Sequence, residues 1–139
     1  ELSRAFGSQS VIVAIDVRKN LFGKYQVFSL SGTISQKKNP VEWAKEVQEQ
    51  GAGEILLTAI DREGTWKGFD IELTSQVCRA ISIPVIANGG AGCVEHIGTV
   101  VKDGKASAVA LGSMVVYQGK DLGVLVNFPD KKQLEDALK

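Results

Sequence analysis

The chain has 139 residues, enough for one hydrophobic core and too few for two ordinary domains, so residues 1–139 are predicted to form a single domain. Apolar residues make up 44% and charged residues 23%, a globular balance that excludes wholesale disorder and a fibrous repeat. Sixteen Lys and Arg against sixteen Asp and Glu leave no net charge, which removes any general attraction for a nucleic-acid polymer or an anionic membrane but leaves room for a local anion site.

No run approaches the roughly 20 apolar residues of a membrane-spanning helix. The opening Glu1–Gly7 lacks the basic-then-apolar pattern of a secretory signal, and two cysteines, Cys78 and Cys93, make no disulfide framework. These features predict a cytoplasmic chain with reduced thiols.

In chain order, Val11-Ile12-Val13-Ala14-Ile15 is a continuous apolar run ending at Asp16, the pattern of a strand covered on both faces. Lys24–Leu30 reads as a strand in a long excursion, paired near Val17 as a small hairpin outside the main sheet. Asn39-Pro40-Val41-Glu42 predicts a helix start, with Asn39 as cap, Pro40 at the first position and Glu42 placed to return to the cap amide; Trp43, Ala44 and Val47 follow on one side and Gly51 offers a stop. Glu54–Ile60 is a second core strand ending at Asp61. Ile71, Leu73, Val77, Ala80 and Ile81 predict a helix after Asp70. Pro84–Ala87 runs as a strand into Asn88-Gly89-Gly90, a helix is expected from about Cys93 to Lys102, and Ala106–Leu111 runs into Gly112-Ser113. Val115–Tyr117 and Val124–Val126 read as short strands or buried turns around Gln118-Gly119-Lys120-Asp121. The tail from Asp130 carries a capping-box pattern and predicts a terminal helix. Strands alternating with helical spacing signify a parallel α/β sheet.

Ligands of parallel α/β proteins gather beyond the carboxyl ends of the strands. Asp16, Asp61, Asn88, Gly89, Gly90, Gly112 and Ser113 stand there. A carboxylate accepts and returns a proton, and glycines let backbone N–H groups approach a phosphate. Asp61-Arg62-Glu63-Gly64-Thr65 combines a carboxylate, a hydroxyl and amides, although such turns also arise for conformational reasons alone. Asn88-Gly89-Gly90-Ala91-Gly92 joins a strand to a helix as a phosphate loop does, yet a tight turn also explains it, and its spacing is not the dinucleotide fingerprint. Asp16 and Asp61 form a candidate acid/base pair, because carboxylates in different surroundings take different protonation roles; a turn carboxylate or an ion pair with Arg18 is the plainer reading of Asp16. His96 falls inside a helix and reads as structural, Cys78 and Cys93 as packing or loop residues, Trp66 as a residue able to cover a ligand, and no spacing suggests a metal or other cofactor.

Three segments carry a resemblance: Val13-Ala14-Ile15-Asp16; Gly51–Thr58 continuing through Ile60-Asp61-Arg62-Glu63-Gly64-Thr65; and Ile86-Ala87-Asn88-Gly89-Gly90-Ala91-Gly92. In this order they resemble the carboxyl-terminal half of the cyclase subunit of imidazole glycerol phosphate synthase, including relatives in surface-sugar biosynthesis. The resemblance implies an α/β fold that is half of a (β/α)8 TIM barrel, with four parallel barrel strands matching strands five to eight of the family. It implies ammonia-dependent cleavage and cyclisation of a phosphorylated nucleotide-like intermediate, with ammonia delivered by a glutaminase partner. Asp16 falls on the family's carboxyl-half acid/base aspartate. Glu63, Gly64, Gly90, Gly112 and Ser113 fall on the second phosphate site, with Glu63 in place of the usual aspartate. Thr58 and Asn88 match the middle of the barrel mouth, Asn88 replacing a serine, and Glu54 matches a charged gate at the opposite end. Tyr117–Lys120 and Val126–Pro129 look more like the surface-sugar relatives, whose subunit is thought to work with an amidotransferase on an acetamido sugar.

A whole barrel needs eight strands and about 250 residues. Half a barrel exposes two edges and an apolar interior face, so the expected partner is a second copy in a homodimer or larger homo-oligomer, or a separate complementary half-barrel. The expected function is phosphate binding, with an active ammonia-dependent subunit and a non-catalytic assembly module as alternatives.

Overall fold

The structure, a computed structural model, describes residues 1–118 and 123–139. A short helix α1 (Leu2–Phe6) and a 3-10 turn over Ser8–Ser10 lead into β1 (Ile12–Lys19). There follow β2 (Tyr25–Ser29), β3 (Ile34–Ser35), α2 (Pro40–Glu49), β4 (Glu54–Ala59), α3 (Ile71–Cys78), β5 (Val85–Asn88), α4 (Val94–Lys102), β6 (Ala108–Val109), α5 (Ser113–Val116) and α6 (Lys131–Leu138). The sheet order is β3-β2-β1-β4-β5-β6; β1, β4, β5 and β6 are parallel, and β2 and β3 are antiparallel additions. The four parallel strands with their helices form half of a (β/α)8 barrel.

Alternation along the strands sorts the two faces of this half-barrel. Ile15 and Val17 of β1, Ile55 and Leu57 of β4, and Val85 and Ala87 of β5 are buried against the helices. Ala44 and Val47 of α2 and Leu73 and Val77 of α3 join the first five in one cluster, while Ile97 and Val100 of α4 pack with Ala87 in a second. The opposite face carries Ala14, Leu56, Ile86 and Ala108 at one level, since Ala14 pairs in register with Leu56, Leu56 with Ile86, and Ile86 with Ala108. In a whole barrel such a level is buried by facing strands. Here Ala14 and Ala108 are exposed and Ile12, one step below, is 56% exposed.

Helix starts follow the chemistry of the sequence. The Asn39 side chain accepts from the amides of Val41 and Glu42, with Pro40 opening α2. Asp130 and Gln133 form the reciprocal capping box of α6. Four expectations are corrected. Asp16 does not end its strand: β1 continues to Lys19 because Asp16–Lys19 pair with Tyr25–Phe28. That pairing also brings β2 into the main sheet, so the hairpin is not a separate element. The helix after Asp70 stops at Cys78, leaving Ala80 and Ile81 beyond it, and Ile81 packs on the core from the connection. Val115 and Val116 are helical in α5, while Tyr117 and Val124 form an isolated antiparallel bridge with exposed Leu125 and Val126 after it. Gly119, Lys120 and Asp121 of the expected turn lie outside the described residues.

No helix among the described residues is long and apolar enough to cross a membrane.

Candidate functional site

Strand register builds the first part of the site. Asp16 pairs with Thr58, and Thr58 with Asn88, so three polar side chains stand in one row across β1, β4 and β5 on the uncovered face. This row is one level above Ala14, Leu56 and Ile86, and marks the change from an apolar interior to a polar mouth. Asn88 Nδ2 donates to Thr58 Oγ1 at 3.2 Å, and Thr58 is buried while Asp16 and Asn88 remain half-buried. Glu54 shares this face of β4 but lies at its opposite end, in register with Ile12.

The glycine loop continues from Asn88. Gly89 and Gly90 have φ of 96° and 100°, conformations that glycine adopts without the steric cost of a Cβ. Both also lie against backbone: a Cβ on Gly89 would meet the Ala59 carbonyl at 2.6 Å, and one on Gly90 would run into the carbonyl of Gly68. Opposite the loop stand Glu63 and Gly64 of the β4–α3 connection and Gly112 and Ser113 at the start of α5. Together they enclose a depression of ≈ 10 Å³, about the room of one water molecule. Glu63 is exposed, and its Oε1 stands 3.4 Å from where a Gly112 Cβ would be.

Residues not singled out by the sequence brace this loop. The Gly68 amide donates to the Gly90 carbonyl at 2.7 Å, and the Gly68 carbonyl accepts from the Arg62 guanidinium at 3.2 Å. Arg62 Nε also lies 3.7 Å from Asp70 Oδ2. Asp70 is buried, caps α3 through the Leu73 amide at 3.0 Å and accepts the Tyr25 hydroxyl at 2.8 Å. The available signal was Gly68-Phe69-Asp70, a glycine placed just before an Asp-capped helix.

Burial, with the Asp70 bond second, raises the Tyr25 hydroxyl well above its ordinary value of 10.0. The folded state therefore resists an ionisation that the unfolded chain undergoes, so stability is fully present below pH 10 and falls as the pH rises beyond it. Urea midpoints measured between pH 9 and 11 are expected to decline in the wild type, and to decline less in Tyr25→Phe. Equal declines would contradict this account.

Asp61 lies in the exposed turn beyond β4 and shares no row with Asp16. Arg18 packs over the Phe28 ring at 4.3 Å. Lys19 pairs with Glu72 at 3.3 Å and Lys38 with Glu46 at 2.9 Å. Trp66 takes a positive φ of 64°, in the connection that lies against the glycine loop. Burial raises both thiols, and Glu95 adds to the effect at Cys93; a protonated thiol is a poor nucleophile. Neither of the loop glycines Gly89 and Gly90 lines a larger cavity among the described residues; one of ≈ 370 Å³ opens behind the loop, between Arg62, Lys67, Asp70 and His96. Volume is a weaker guide here than the convergence of polar strand ends.

The family model described as "Histidine biosynthesis protein" matches residues 1–121, and so spans every strand of the half-barrel and the glycine loop. The chain belongs to this family. Among relatives in the histidine biosynthesis family, the imidazole glycerol phosphate synthase subunit HisF of Saccharolobus solfataricus is 51% identical over 114 residues, which are 82% of this chain and 45% of that protein. The subunit HisF of Sulfurisphaera tokodaii is 50% identical over 133 residues, 96% of this chain and 50% of the relative. That of Prochlorococcus marinus is 47% identical over 134 residues, 95% of this chain and 52% of the relative. The chain thus spans about half the length of the curated relatives it matches.

Proposed function

We propose that residues 1–139 act as one half-barrel domain that binds the phosphate of a small ribotide-like molecule, and that a second barrel wall completes the site. The observation that carries this reading is the continuity of the polar row with the glycine loop: Asp16, Thr58 and Asn88 stand in register, and the chain passes directly from Asn88 into Gly89 and Gly90. Gly64, Gly89, Gly90, Gly112 and Ser113 supply backbone amides and a hydroxyl to the anion, which rests across the opening of a depression too small to enclose it. Thr58 and Asn88 meet the middle of the ligand. Asp16, half-buried above an apolar level, carries the proton role, with Asp61 as a secondary acid/base candidate. The matches to imidazole glycerol phosphate synthase subunits support a ribotide rather than a lone inorganic anion.

Calorimetric titration tests the binding. A phosphorylated ribotide is expected to bind once per chain and to be displaced by inorganic phosphate, while its unphosphorylated counterpart does not bind. No saturable binding of either phosphorylated ligand would sink the reading.

Glu63 makes a second measurement informative. Its exposed carboxylate borders the anion position and repels a phosphate dianion, so Glu63→Gln is expected to tighten inorganic phosphate binding by roughly two- to fivefold, the scale of exposed charge interactions. Unchanged or weaker binding would remove Glu63 from the site.

The polar row also favours catalysis once the barrel is complete. The second wall in this proposal is another copy of the chain, and a glutaminase partner delivers ammonia at the opposite end, where Glu54 stands. Turnover with ammonia should then vanish in Asp16→Asn while the assembly stays intact. A subunit that binds phosphate without turnover would remain a binding half-barrel.

A further inference from the structure

We propose that His96 is a positioning residue of the glycine loop, holding its far end through an unprotonated Nδ1. This rests on the phosphate-binding reading for its functional consequence, but the contact itself stands apart from it. His96 is the third residue of α4, and its Nδ1 accepts the backbone N–H of Gly92 at 3.1 Å. A capping box returns the side chain at the third helical position to the cap amide. Here the imidazole at that position reaches one residue farther back, to the amide before the cap residue Cys93. Cys93 occupies the cap position and makes no side-chain cap bond, so His96 provides the side-chain anchor at this helix entry.

The same ring touches the other side of the loop. Its Cγ, Cδ2 and Nε2 atoms lie 3.4–3.5 Å from where a Gly68 Cβ would be, so the imidazole packs flat over Gly68. Gly68 is the residue whose amide donates to the Gly90 carbonyl. One side chain therefore secures Gly92 by a hydrogen bond and Gly68 by packing, on either side of Gly90. A glycine-rich segment loses much conformational entropy when ordered, and fixing it before the ligand arrives lowers the cost of binding.

The bond defines a protonation state. An amide can donate only to a nitrogen without a proton, so Nδ1 is free and the ring proton is on Nε2. The charged groups around the ring are Arg62, Lys67, Asp70, Glu72 and Lys19 across the adjoining cavity, and Glu95 on its own helix. The neutral ring belongs in this place for a second reason: a cation in the first turn of α4 would oppose the helix dipole.

Two amide side chains separate acceptor from bulk. His96→Asn would put a carbonyl oxygen close to the position of Nδ1, whereas the longer side chain of His96→Gln reaches toward Nε2; His96→Ala is the deletion. Nitrogen NMR of the wild type is expected to show an unprotonated Nδ1 and a protonated Nε2, and hydrogen exchange a protected Gly92 amide. His96→Gln and His96→Ala should expose that amide and weaken inorganic phosphate binding by roughly three- to tenfold, the scale of one lost hydrogen bond. His96→Asn should keep both within about twofold, because the acceptor is retained. A protonated Nδ1, an unprotected Gly92 amide in the wild type, or equal losses in the asparagine and alanine variants would overturn the proposal. If the wild type bound no phosphate at all, the phosphate reading would fall, and the Gly92 exchange rates alone would decide whether His96 positions the loop.

Discussion

Gly90→Ala is expected to abolish measurable phosphate binding while leaving the half-barrel folded. The alanine methyl would enter the Gly68 carbonyl and come within 3.1 Å of Arg62 Cβ, at a φ of 100° that an L side chain rarely adopts. Backbone strain of this kind costs roughly 1–3 kcal/mol. The loop has one inexpensive escape, which is to break the 2.7 Å bond between the Gly68 amide and the Gly90 carbonyl and swing away from the β4–α3 connection. That movement withdraws Gly89 and Gly90 from Gly64, Gly112 and Ser113, so the anion loses its amides while the half-barrel keeps its core. The expected result is a loss in phosphate affinity of at least ~30-fold, with a fall in unfolding free energy of about 1–3 kcal/mol. Ser113→Ala is the comparison: it removes a hydroxyl without strain, and should weaken binding by roughly three- to tenfold with no change in stability. Wild-type affinity in Gly90→Ala would mean that the anion does not use this loop.

The contrast between Gly90 and His96 shows what a sequence can disclose. Strands and helix caps were legible because their causes are local. The buried positions of β1, β4 and β5 follow an alternation that can be counted, and Asn39, Asp70 and Asp130 precede their helices with the oxygen that the first amides need. Asp16, Asn88 and Gly90 drew notice because each follows an apolar run that can be counted along the sequence. Arg62, Gly68 and His96 did not, because their work is done on backbone atoms distant in sequence or hidden by local reading. Nothing in His96 itself says that its partner is the Gly92 amide, and Gly68 acts through its own peptide groups. The end of β1 was misplaced for a related reason: Val17–Lys19 remain extended because β2 pairs with them, and a pairing across the turn outweighs the local signal of an acidic stop.

With a second copy proposed as the far wall of the barrel, Leu56→Asp is expected to make the chain monomeric at concentrations where the wild type self-associates. The level Ala14, Leu56, Ile86 and Ala108 is apolar on all four strands, yet Ala14 and Ala108 are exposed and Leu56 and Ile86 only half-buried. The same face is flanked by the upper edge of β6 and by Ile12–Ile15 of β1, which β2 leaves unpaired on the side away from β4. A second half-barrel satisfies both demands, pairing the edges and burying the level. An aspartate at the centre of that level would be buried without a partner, and a lone buried charge costs several kcal/mol. Dilution series followed by light scattering should therefore show self-association weakened at least ~100-fold in Leu56→Asp and unchanged in Lys45→Asp, on the exposed side of α2. Inorganic phosphate binding should survive in Leu56→Asp, because the phosphate position lies above this level on residues of the same chain, and the facing wall completes the site only for the rest of the ribotide. A wild-type chain that stays monomeric throughout, or a Leu56→Asp assembly as tight as the wild type, would show that the uncovered face does not join two copies.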